Sequence, residues 1–331
     1  MKNMFTGKKI FITGGTGSWG NELTKQLLDF DPEQITIFSR SEFNQVSMDR
    51  KFNDPRLRFL IGDIRDHDRL MECMKGIDYV FHLAALKHVP VCEEQPYEAI
   101  KTNIVGTRNV IQAAQANGVK KVIDVSTDKA VDPLNLYGMT KAIGERLIIQ
   151  ANLEPSPTQY VCIRGGNVLG TNGSVVPFFI DQIKRFKKVK LTDKNMTRYF
   201  LTLSEAISLL FKASEVSHGG ETFVMKMPAC KISDLAEVMI EEIAPNEHIA
   251  IEEVGVRPGE KIHEVLVSRY EAPLTYQYDE NYFLILPQLR IDHLADKHKQ
   301  LNKVTFEEYT SNDVLMTKEE IRTMLKDGKF I

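Results

Sequence analysis

The sequence predicts an α/β protein, a doubly wound parallel sheet followed by a smaller mixed α/β domain, and two observations carry that reading. Short runs rich in Val, Ile and Phe alternate with longer helix-like stretches as far as about residue 165. The first of these runs leads straight into a glycine-rich turn that opens a helix.

The predicted strands are Lys8–Thr13, Ile35–Ser39, Leu57–Ile61, Tyr79–Leu83, Val119–Val125 and Tyr160–Arg164. Their near-continuous apolar character fits a sheet covered on both faces. Between them lie helical patterns such as Val105–Asn117, closed by Gly118. After Asn167 the pattern loosens. Val175–Lys187, Leu203–Glu215 and Ile232–Ile243 read as helices and Glu221–Met227 as a strand, with Pro228, Pro245 and Pro258 as punctuation. Residues 1–167 thus read as a dinucleotide-binding domain, with later segments returning to it, and 168–331 as a substrate domain with a tail. The tail is polar from Arg290 to Lys303, and Thr317 to Glu320 spells a capping box for a last short helix.

With 331 residues, 43% of them hydrophobic and 26% charged, the chain has material for a large core. A net charge of −3 gives no reason to expect nucleic acid as partner. No run reaches the length of a membrane span, and the segment from Met1 to Lys9 enters a strand pattern without a signal peptide, so a cytoplasmic protein is expected. Cys73, Cys92, Cys162 and Cys230 are widely spaced, forming neither a disulfide framework nor a metal motif.

The turn reads Thr13-Gly14-Gly15-Thr16-Gly17-Ser18-Trp19-Gly20. Gly14 permits the tight turn, Gly17 a close approach to pyrophosphate, and Gly20 close packing of the helix, with phosphates at the helix start. This is the Rossmann-like arrangement for a dinucleotide. Strand two ends in Ser39-Arg40-Ser41 where an NAD site carries an acid, so a 2′-phosphate and hence NADP is predicted; the alternative is a solvated surface charge at Arg40. Asp63 and Ile64 flank the adenine position, although Asp63 could equally cap the next helix. Ala84 and Lys87, after strand four, complete the candidate cofactor contacts.

Strand five ends in Ser126-Thr127-Asp128-Lys129, and Tyr137-Gly138-Met139-Thr140-Lys141 follows. Tyr137 and Lys141 share a helix face, where an ammonium can lower the phenol's pKa and reach the nicotinamide ribose. Tyr137 then serves as base for an alcohol proton.

These motifs resemble the extended short-chain dehydrogenase/reductases. Within them, STDKAVDPLNLYGMTK, LKHVP, KTNIVGT and MTRYFLTLSEA are similar to the soluble UDP-N-acetylglucosamine 4,6-dehydratases, over about Lys8 to Pro287. The resemblance implies a tightly bound NADP recycled within each turnover, no metal, a UDP-hexosamine substrate, and a homo-oligomer, with a hexamer among the arrangements it admits. Asp128 and Lys129 separate dehydration from simple C4 epimerisation. Once C4 is a ketone, a neutral Lys129, its pKa depressed by burial, would remove the C5 proton while a protonated Asp128 helps the C6 hydroxyl leave. Thr127 resembles the hydroxyl that positions the sugar. Lys87 and Asn103 correspond to positions near the site, and Asn103 could be purely structural. Substrate contacts map onto Asn167, Arg198, Arg257 and Glu260, with Lys226 as a further nucleotide contact and Gly173–Phe179 as lid or floor, Val175 and Pro177 against the base.

Two departures stand out. Gly165 replaces a family tyrosine, which removes an aromatic wall and could widen the site. Asn44 stands where a basic residue often helps hold the 2′-phosphate. The expected activity is C5-inverting dehydration in bacterial surface-glycan or nonulosonate (pseudaminic acid-type) synthesis. Alternatives are partial dehydration releasing the 5,6-ene, a retaining dehydratase, a 4-epimerase, or a non-catalytic NADP(H)-binding protein on the same fold.

Overall fold

The computed structural model describes residues 4–171, 174–289 and 291–331, so Gly173 and Arg290 lie outside the described residues. Six parallel strands come first: β1 (Lys9–Thr13), β2 (Gln34–Ser39), β3 (Leu57–Ile61), β4 (Tyr79–His82), β5 (Lys121–Thr127) and β6 (Gln159–Gly165). Each falls within two residues of its expected run. In β1 the side chains alternate between two cores, Ile10 and Ile12 into one and Phe11 into the other. Apolar residues on both faces are what a sheet covered by helices on each side requires.

The chain later returns to this sheet with β7 (Thr222–Met225), β8 (Thr275–Gln277), β9 (Tyr282–Ile285) and β10 (Asn302–Lys303). Among the described residues the order is β10-β8-β9-β7-β6-β5-β4-β1-β2-β3. β7 runs parallel to β6, whereas β9 is antiparallel to β7. β1 lies between β2 and β4, and at this reversal of strand order the carboxyl ends of β1 and β4 open a crevice.

Outside the large sheet, Asn167–Val168, Thr197–Leu201 and Ala229–Lys231 form a three-stranded sheet. The Ile232–Ile243 helix buries Leu235, Val238 and Met239 in a separate core that also takes Ile321 and Leu325 of the last helix, Lys318–Asp327. The capping box at Thr317 and Glu320 forms as expected. Two helices depart from expectation. The Val175 helix is α-helical only over Val175–Asp181, continues as a wide π turn over Gln182–Phe186, and stops at Lys187, whose φ is 52°. The Val105 helix instead begins as a π turn over Lys101–Val105 and is α-helical over Gly106–Ala116. Such insertions recur at functional sites, and this one carries the buried Thr102 and Asn103.

Candidate active site

The turn after β1 is shaped by close backbone contacts. Gly14 has φ 68°, and a Cβ there would lie 2.9 Å from the backbone of Ala84. Gly17 precedes the Ser18–Leu28 helix and gives it no side-chain cap, leaving the first N–H groups, those of Ser18 and Trp19 included, for a phosphate. A Cβ at Gly20 would lie 2.1 Å from the Gly15 oxygen, so Gly20 serves packing of the helix against the turn itself. Gly14, Thr16, Ser39, Arg40, Asn44, Asp63, Ile64, Ala84 and Thr102 line a cleft of about 220 Å³. Thr102 brings a buried hydroxyl that has no partner. This backbone cradle and orphaned hydroxyl fit a dinucleotide. Ser39 is engaged by Gln45 Nε2 at 3.1 Å, and Ser41 caps the next helix by accepting from the Asn44 N–H. Asp63 does not cap: Asp66 does, accepting from the Arg69 N–H, while Arg65 clasps Asp63 at 2.5 Å. Burial would raise the Asp63 carboxyl, but Arg65 outweighs it and holds it below the usual value.

Beneath the cleft runs a buried polar chain. His82 lies 2.7 Å from the Thr13 hydroxyl and 3.1 Å from that of Thr107. Asn103 is a structural brace: its side chain donates to the Leu86 oxygen and the Thr140 hydroxyl and accepts from the Leu86 N–H at 2.8 Å.

At the end of β5 the reacting groups converge. Thr127 donates to Asp128 Oδ1 at 2.8 Å, and Lys129 Nζ donates to the same oxygen at 3.0 Å. Asp128 Oδ2 is buried without a partner. Lys129 also meets Glu264 Oε1 at 3.4 Å and Asn167 Oδ1 at 3.4 Å. Burial alone would depress the Lys129 ammonium, but Asp128 and then Glu264 overcome it and hold it above the usual lysine value. The expected neutral Lys129 is therefore corrected to an ammonium in an ion pair, because two carboxylates face it.

The Leu136–Gln150 helix starts at Asn135, which caps the Gly138 N–H at 2.8 Å. Gly138 lets the helix approach the cluster, since a Cβ there would lie 2.1 Å from the Lys129 oxygen. Burial raises the Tyr137 phenol despite the downward pull of Lys141, Lys129 and a hydrogen bond with Thr127. The expected net lowering is thus reversed by desolvation. Lys141 pairs with buried Asp124 of β5 at 3.3 Å; burial opposes its charge, and Asp124 more than restores it.

The substrate candidates divide. Arg257 is exposed and lies 3.8 Å from Glu260, whose Oε2 is buried without a partner. The loop is clipped to the catalytic side by Asn135 donating to the Gly259 oxygen at 2.8 Å and Lys261 donating to the Val131 oxygen at 2.5 Å. Arg198 is buried and spends its guanidinium on the Thr197, Lys261 and Ile262 oxygens and on Glu264 at 3.3 Å, so it braces the 261–264 segment. Lys87 is depressed by burial and by Lys129. Val175 packs on the separate core around the Ile232–Ile243 helix, and Pro177 is exposed. Lys226 is not brought to the cluster. It donates to the Asp279 oxygen at 2.5 Å and lies over Phe283, while its neighbours Met225 and Met227 turn to the other side. Those methionines also correct the expected widening at Gly165: a Cβ there would meet Met225 Sδ at 3.3 Å and Met227 Sδ at 3.7 Å.

Glu264, Asp124, Lys261 and Thr102 were not singled out from sequence. Asp124 carried a signal, a carboxylate in the middle of an apolar run. Glu264 had none beyond its place four residues after Glu260.

A cofactor cleft beside a Tyr-Lys pair and an Asp-Lys pair defines a dinucleotide-dependent enzyme of the extended short-chain dehydrogenase/reductase kind. The chain belongs to the polysaccharide biosynthesis protein family, whose pattern matches residues 10–286. It is 46% identical over 291 residues to a Campylobacter jejuni protein named UDP-N-acetylglucosamine 4,6-dehydratase (inverting), covering 87% of this chain and 85% of that one. It is 40% identical to a Rickettsia bellii protein named UDP-glucose 4-epimerase, covering 99% and 98%. The X-ray structure of Pen from Bacillus thuringiensis superposes with a TM-score of 0.92 at 40% identity, covering 99% of each chain. Among the described residues no helix is long and apolar enough to cross a membrane.

Proposed function

We propose that this protein is an NADP-dependent UDP-N-acetylglucosamine 4,6-dehydratase of the C5-inverting kind, acting in bacterial surface-glycan synthesis of the nonulosonate type. The observation that carries this reading is the Asp128-Lys129 pair, with one Asp128 oxygen on Thr127 and Lys129 and the other buried without a partner. A 4-epimerase needs only Tyr137, Lys141 and Thr127, because hydride leaves and returns at C4.

The turn from Gly14 to Gly20 would hold the pyrophosphate, Ser39 and Arg40 the 2′-phosphate, Ile64 and Ala84 the adenine side, and Lys141 the nicotinamide ribose. Bound NADP supplies the hydride acceptor for C4 and the hydride donor for C6. Tyr137 takes the C4 hydroxyl proton, with Lys141 and Thr127 stabilising the phenolate against desolvation. Lys129 passes its proton across the 3.0 Å contact to Asp128, giving a neutral amine and a protonated carboxyl in one step. The amine then takes the C5 proton, the electrons form the C5–C6 double bond, and the Asp128 proton leaves with the C6 hydroxyl as water. Both residues return to the ion pair; C6 then takes the hydride back, C5 takes a proton from solvent on the face opposite Lys129, and Tyr137 releases its proton to solvent, which leaves the 4-keto-6-deoxy product with C5 inverted. Arg257 and Glu260 face the nucleotide, with Asn167 beside the sugar.

The test is incubation with UDP-N-acetylglucosamine and no added cofactor, followed by proton NMR. A new C6 methyl signal supports the dehydratase. Conversion to the C4 epimer alone would overturn it in favour of the epimerase.

A further inference from the structure

The segment from Arg257 to Glu264 carries the proposed nucleotide contacts at one end and a carboxylate against Lys129 at the other. Glu264 is buried and far in sequence from the Asp128-Lys129 pair. Its Oε1 lies between Lys129 Nζ at 3.4 Å and Arg198 Nε at 3.3 Å. The backbone around it is fixed by the tail: the Glu264 N–H donates to the Ser311 hydroxyl at 2.9 Å, and the Ser311 N–H donates to the Glu264 oxygen at 2.8 Å. Ser311 also meets the Thr197 hydroxyl at 2.6 Å. The carboxylate is thus shared by Lys129 and Arg198, while Ser311 fixes its backbone.

We infer that Glu264 is the positioning residue for Lys129, the carboxylate that orients its amine toward C5 and stabilises the ammonium formed when the C5 proton arrives. This rests on the dehydratase reading above. The logic is that of a base oriented by a third group. Asp128 cannot fill that role throughout, because it must be protonated when it releases water. Glu264, which also faces Arg198, takes no part in that proton transfer. The charged groups around Lys129 are Asp128, Glu264, Arg198, Lys87, Lys261 and, through its phenol, Tyr137. Removing the Glu264 charge therefore leaves the lysine easier to deprotonate and a poorer base.

The experiment compares wild type, Glu264→Gln and Glu264→Asp in three readouts: C5 deuteration in deuterated water, the absorbance of reduced nicotinamide, and the pH profile of kcat. Glu264→Gln is expected to slow C5 exchange by about 100-fold, to keep C4 oxidation and KM close to wild type, and to move the alkaline limb of the profile, where the Asp128-Lys129 pair loses the proton it shares, to lower pH. Glu264→Asp should recover part of the rate with the limb near its original position. Parallel loss of C4 oxidation and C5 exchange in Glu264→Asp, with an unmoved limb, would overturn the inference as a structural effect. So would wild-type exchange in Glu264→Gln. If Glu264→Gln does not fold, Glu264→Asp and its pH profile decide alone. Absence of C5 exchange in wild type would instead sink the dehydratase reading.

Discussion

Asp128 offers Lys129 one carboxylate oxygen at 3.0 Å and keeps the other buried and unpaired. An unpartnered buried oxygen is costly, and a hydroxyl of the substrate would satisfy it. The same carboxylate can thus exchange a proton with its neighbour on one side and meet a leaving group on the other. On the proposed dehydratase reading, that division of labour would separate this site from one that only oxidises C4.

Replacing Lys129 should split the reaction. Lys129→Ala removes the base and the cation between Asp128 and Glu264, leaving Glu264 to Arg198. Dehydration is expected to fall by at least about 100-fold, while oxidation at C4, which uses Tyr137 and Lys141, persists. Single-turnover absorbance of the reduced nicotinamide, read beside methyl formation, checks this; equal loss of both would refute the assignment.

Acid should weaken the fold through His82. Burial pushes this imidazole down to about 4, between the hydroxyls of Thr13 and Thr107. The unfolded chain binds the proton near pH 6.5, so stability is complete above that value and is lost as pH falls toward about 4. The loss is about 3 kcal/mol for this residue. Urea unfolding at about pH 7 and about pH 5 should show a drop that His82→Gln reduces; an identical drop in the variant would exclude His82 as its source.

The site at Gly165 should reject the tyrosine that the family resemblance would place there. Gly165→Tyr would have to displace Met225 and Met227, at an expected cost of about 1–3 kcal/mol. Adding Met227→Ala should recover part of it, with a coupling of at least about 0.5 kcal/mol in a double-mutant cycle. Strict additivity of the two changes would mean that the methionines do not fill that space.

What was legible in the sequence was local. β1 to β6 follow from apolar runs that helices must cover, and the glycine turn follows from steric needs within a few residues of chain. Tyr137 and Lys141 follow from helical spacing. Long-range packing supplied the rest. Lys129 looked like a neutral base because Asp128 was read as protonated, and because Glu264, the second carboxylate that keeps the lysine charged, comes from a distant segment. Lys226 looked like a nucleotide contact because its charge was visible, whereas the alternation that turns Met225 and Met227 inward sends it outward. The role of the tail was invisible until Ser311 was seen beside Glu264.

The measurement that tests the account most directly is a proton NMR time course of the purified protein with UDP-N-acetylglucosamine in deuterated water, with no cofactor added. A C6 methyl signal, a C4 ketone, deuterium at C5 and ring couplings of the inverted centre are expected. A C4 epimer with its C5 proton retained, or alkene protons without a methyl, would contradict it.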